Sequence, residues 1–154
     1  MSELKSCLEF FAGEWTGDEE IASSKWGEGG RAAALVSARF DLGGRVLVQD
    51  YSAQRDGKTW LKAHAVIAVD EQTSGLGLFW FDSLGFTPGE PAPGQWDGSS
   101  LRFVRTSPRG QARHTYTPTG PAAYEFVLES SFDSGASWVL VMKGRYVRTS
   151  GGRV

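Results

Sequence analysis

Residues 4–21, LKSCLEFFAGEWTGDEEI, decide the fold. Leu4, Leu8 and Phe11 recur at helical spacing, and Ser2 is placed to cap a short helix reaching residue 12. A helix that short does not stand alone in water and has to lie against something larger. Gly13-Glu14-Trp15 breaks the helical period, and 14–21 reads as a first strand. From there the chain holds only strands, separated by Gly, Pro and Asp-Gly punctuation. Sequential hairpins leave two exposed edges unless the sheet closes on itself. The pattern therefore predicts a closed antiparallel up-and-down β-barrel of about nine to ten strands, plugged at one end by the helix. Barrels of that size can enclose one small ligand.

Bulk properties agree. The 154 residues suffice for one domain with a sizeable core, expected over 1–148 with a frayed tail at 149–154. Six Trp, nine Phe, four Tyr and 20 Gly suit strands, tight turns and a lined cavity better than a helical bundle. A net charge of −2 with scattered arginines gives no nucleic-acid footprint. The one cysteine, Cys7, rules out an intramolecular disulfide and reads as a small buried hydrophobe. No long apolar run marks a signal peptide or a membrane span, so the expected location is cytoplasmic with no membrane partner.

Further strands are expected over 32–41, 45–54, 58–69, 76–82, 100–106, 111–117, 122–130 and 138–148, with a short one near 96–98. Segment 22–30, carrying Trp26 and Gly27-Glu-Gly-Gly30, reads as a flexible loop. The Pro- and Gly-rich segment 83–94 reads as a long loop at the barrel mouth. Asp56-Gly57 sets one hairpin register. With Arg55 and Lys58 closing it, Gln49 faces His64 and Tyr51 faces Lys62 on one side, while Asp50 faces Ala63 on the other. Asp50 is then a lone carboxylate among aliphatics, costly unless paired. Pro108-Arg109 sets a second register, with Phe103 opposite His114, Leu101 opposite Tyr116 and Val104 opposite Arg113. Arg102 and Arg113 then face solvent and His114 the interior.

Gly13-x-Trp15 after a short helix resembles the opening of the lipocalin-like (calycin) barrels. The set Leu47-Val48-Gln49-Asp50-Tyr51, Asp56-Gly57-Lys58, His64, Trp80-Phe81-Asp82-Ser83, Thr115-Tyr116-Thr117 and Gly144-Arg145-Tyr146 resembles a bacterial lipocalin-like family of unknown function. The resemblance implies the barrel, and an Arg of the last strand, Arg145 or Arg148, packed over the Trp. Haem-binding calycins share the opening Gly-x-Trp-x-Gly but add further glycines, where this chain continues Asp18-Glu19-Glu20.

No nucleophile elbow, phosphate-binding Gly loop or dinucleotide fingerprint is present. Two histidines without Cys or His-x-His spacing make a poor metal site, so neither metal nor cofactor is expected. The first reading is a mostly apolar small molecule bound in the barrel by Trp80, His114 and Tyr116, with His64, Asp50 and Asp82 as further candidates. His64 and His114 also read plainly as hydrogen-bonded structural histidines, and Asp82 as a cap of the following loop. If the loop at 70–75 brings Asp82 opposite Ala63, it joins the row of Asp50. The alternative is then an enzyme using Asp50 and Asp82, or His64 and His114, as acid–base groups. Haem ligated by either histidine, and an association domain filled by its own aromatics, complete the set. A homodimer stays open.

Overall fold

The computed structural model describes residues 2–25, 27–85 and 89–150. Expectations placed on Trp26, on the middle of the 83–94 loop, on the Ser2 side-chain cap and on 151–154 lie outside what it describes. One helix, α1 (Ser2–Phe10), precedes ten strands. These are β1 (Gly13–Ile21), β2 (Gly30–Asp41), β3 (Val46–Arg55), β4 (Lys58–Asp70), β5 (Gly75–Asp82), β6 (Ala92–Trp96), β7 (Leu101–Ser107), β8 (Gly110–Gly120), β9 (Ala123–Ser131) and β10 (Val139–Ser150). Each pairs antiparallel with its sequence neighbours, and β1 pairs with β10 to close the barrel. The edges are thereby abolished.

Two of the boundaries that differ from expectation bear on the mouth and the closure. Ala92 to Gly94 belong to β6, pairing with β5 and β7, so the mouth loop is shorter than 83–94. The last strand runs on to Ser150, which pairs with Glu14, so Thr149 and Ser150 are barrel and not tail.

Odd-numbered residues of β1 and β7 and even-numbered residues of β2, β8, β9 and β10 point inward, as period-two geometry requires. Trp15, Ala34, Val36, Leu47, Ile67, Leu78, Leu101, Phe103, Tyr116, Tyr124, Phe126 and Tyr146 form the core this creates. α1 buries Cys7, Leu8 and Phe10, and Phe11 directly after it is buried too, over the end where β1 begins. Phe11 meets Tyr124 edge-on at 5.1 Å, and its carbonyl accepts from Trp15 Nε1 at 3.0 Å. Arg148, not Arg145, is the last-strand arginine over the tryptophan: its guanidinium carbon lies 4.4 Å from the Trp15 ring centre. It also bonds the Phe10 and Pro121 carbonyls, tying helix, strand and turn together.

The register of β7 with β8 is the expected one: Phe103 faces His114, and Val104 faces Arg113. Arg102 is exposed; Arg113, on the same outer face, is half-covered by Trp138 and paired with Glu129 at 2.9 Å. The register of β3 with β4 is corrected. Arg55 does face Lys58, but Ala53 faces Leu61 while Gln54 faces Thr59, so Trp60 is bulged out. One extra residue shifts every later pair: Tyr51 faces Ala63, and Asp50 faces His64.

Candidate functional site

The strand directions put the turns after β1, β3, β5, β7 and β9 at the end opposite α1. That end is the barrel mouth. Trp80 and Asp82 enter it from β5, Arg105 from β7, His114 from β8 and Tyr51 from β3; Tyr116 and Gln49 lie deeper, toward the plug, with Tyr116 5.8 Å from the Phe11 ring. Each sits there because it shares strand parity with a buried core residue: Arg105 with Leu101 and Phe103, Trp80 with Leu76 and Leu78.

Three polar groupings result. The first is Asp82 with Trp80, whose indole N–H donates to Asp82 Oδ2 at 2.8 Å; Asp82 Oδ1 accepts from the Leu84 amide at 2.9 Å. The second is His114, which is fully buried, with Trp80 at 5.2 Å and Phe126 at 5.8 Å between ring centres. Arg105 Nε donates to His114 Nε2 at 3.3 Å, which places the imidazole proton on Nδ1. That Nδ1 is buried and meets no partner among the described residues. Burial, aided by Arg105, pushes the His114 pKa down to about 3, so the ring is neutral. The third is Glu19, fully buried, whose carboxylate accepts from Tyr51 at 2.8 Å and from Tyr146. Burial raises its pKa, against the hydrogen bonds from Tyr146 and Tyr51, which lower it.

Trp80, Tyr51 and Tyr146 of these groupings also wall a cavity of about 40 Å³, together with Gln49, Tyr116, Leu128 and Met142 among others. The buried Gln49 amide makes no side-chain hydrogen bond among the described residues.

The structure separates the six residues singled out from sequence. Trp80, Tyr116, His114 and Asp82 come together in the interior. Asp82 does face Ala63, but that row holds Tyr51, not Asp50, so no Asp50–Asp82 carboxylate pair exists. His64 and Asp50 are on the outer face, with His64 Nδ1 2.6 Å from Asp50 Oδ1 and Arg39 3.2 Å from Asp50 Oδ2. Although partial burial pushes the Asp50 carboxyl up, the bonds to His64 and Arg39 hold it below the usual range. These groups border an open outer groove of about 610 Å³, shared with Glu14, Leu35, Ser37 and Lys62.

Haem does not fit the residues present. His64 points away from the interior, and His114 is sealed between rings beside a cavity far smaller than a porphyrin. Among the described residues no group of three or more His, Cys, Asp or Glu could hold a metal ion. No helix is long and apolar enough to cross a membrane.

The closed ten-stranded wall and its helical plug have the fold that the resemblance to lipocalin-like barrels implied. Among solved structures the chain is similar to the S-type phycobiliprotein lyase CPES from Guillardia theta, at 9% identity over 96% of this chain and 93% of that one, TM-score 0.71. It is also similar to Rv2717c from M. tuberculosis, at 14% identity over 94% and 96%, TM-score 0.72. A weaker likeness joins it to EF1p2_mFAP2b, solved bound to DFHBI, at 10% identity over 94% and 98%, TM-score 0.50. Identities this low show the fold alone. No family model matches the chain, and no curated protein does.

Proposed function

We propose that the protein binds a small, mostly apolar molecule in the mouth half of the barrel. The observation that carries this reading is an aromatic-walled cavity whose Trp80 and Phe126 pack on His114, a ring whose buried Nδ1–H has no partner among the described residues. An unsatisfied buried donor costs about 1–3 kcal/mol, which an acceptor on a ligand would recover. Gln49 brings a buried side-chain amide to the cavity wall. Aromatic rings with a few convergent polar groups are the composition of small-molecule sites. The structural neighbours named as a phycobiliprotein lyase and as a protein bound to DFHBI support the reading in kind, on a similar barrel.

At about 40 Å³ the cavity holds little more than water, so a ligand must displace side chains. Met142 and Leu128 line it, and Met, unbranched with three rotatable bonds, is suited to move. The same small volume favours a second reading, a barrel packed by its own aromatics that works through its outer surface. Titration with the neutral dye N-phenyl-1-naphthylamine separates the two. Saturable enhancement at one dye per chain, abolished by Ala65→Leu in a variant that still melts cooperatively, is the expected result. No enhancement would leave the association reading standing.

A further inference from the structure

We infer that Arg105 is the recognition point for an oxyanion, so that the ligand of the mouth is an apolar body ending in a carboxylate or phosphate. This deepens the proposed binding function and rests on it. Arginines of barrels belong on the outer face, as Arg102 does, unless something holds them inside. Arg105 faces inward, opposite Ala112 and on the parity of Leu101 and Phe103, and is only partly exposed. Its Nε is fixed by His114 Nε2, and the remainder of the guanidinium makes no hydrogen bond or ion pair with a described residue. Asp82 lies near enough to act on its charge but not to pair with it. Both Asp82 oxygens are already engaged, by the Trp80 indole and the Leu84 amide.

The result is a cation with a fixed plane and unused donors in the barrel mouth, joined through His114 to Trp80 on the wall of the apolar cavity. A guanidinium presents a two-pronged donor set that matches carboxylate and phosphate oxygens. Burial lowers the Arg105 pKa from its ordinary value, so holding this charge here opposes folding unless an anion offsets it. The neutral His114 beneath it adds a fixed contact without a competing charge. The tail of such a ligand would point down past Trp80 toward Tyr116.

The test is displacement of N-phenyl-1-naphthylamine by dodecanol, dodecanoate and dodecyl phosphate, all below micelle formation. The wild type, Arg105→Gln, Arg105→Lys and the outer-face variant Arg102→Gln are compared. Dodecanoate or dodecyl phosphate should displace the dye at least about tenfold more tightly than dodecanol; the tighter of the two names the oxyanion. Arg105→Gln should bring that ratio to near one with dodecanol unchanged, Arg105→Lys should retain part of it, and Arg102→Gln all of it. Equal displacement by all three compounds in the wild type overturns the inference while the binding site stands. Failure of the dye itself to bind overturns the site and the inference together.

Discussion

His114 is where the barrel interior can be questioned one atom at a time. Its folded pKa, about 3, lies below the ordinary 6.5, so an unfolded chain takes up a proton before the folded one as pH falls. The stability it supplies is complete above about pH 6.5 and drains away toward pH 3. At about 1.4 kcal/mol per unit, that makes about 3 kcal/mol between pH 7 and pH 4. Urea midpoints at those two pH values should fall further for the wild type than for His114→Gln; parallel losses would mean that the ring is not buried neutral. The inward address of His114 was legible in sequence because the Pro108-Arg109 turn fixes its register. Arg105 and Glu19 were equally legible and were missed. Each follows a buried residue by an even count, Phe103 and Trp15, but a charged side chain is read as solvent-facing by habit. The partners that hold Glu19, Tyr51 and Tyr146, come from strands far apart in sequence, and no local pattern announces them.

At the scale of elements, the helix and the seam between β1 and β10 carry the closure. Phe11 is almost wholly buried and meets Tyr116 and Tyr124 edge-on, so Phe11→Ala should cost about 3–5 kcal/mol in chemical denaturation. A loss under about 1 kcal/mol would mean that α1 is not seated as a plug. Gly17 is small for a different reason. A Cβ there would lie 2.3 Å from the Tyr146 ring, which is stacked on Tyr124 at 4.9 Å and tied to Glu19. The ring cannot step aside, so Gly17→Ala should destabilise by about 1–3 kcal/mol, read as a lower melting temperature. Element order and most strand spans followed from turn chemistry and alternation. The register of β3 with β4 did not, because nothing in Thr59-Trp60-Leu61 marks a bulge. That one residue exchanged the faces of His64 and Lys62 against β3 and moved Asp50 away from Asp82.

For the whole molecule, closure was legible because sequential hairpins have few other solutions. How full the interior is was not legible, since volume depends on how the core side chains interdigitate, and not on strand pattern. The central claim is that a small molecule enters this interior at the mouth. Met142 lines the cavity, and Met1 is the other methionine of the chain. Carbon-13 labelling of the methionine methyl groups therefore gives a two-signal spectrum in which one signal reports the cavity directly. On titration with N-phenyl-1-naphthylamine, the Met142 signal, assigned by its loss in Met142→Leu, should shift and saturate with the dye fluorescence. A Met142 signal unmoved at saturating dye would contradict the account.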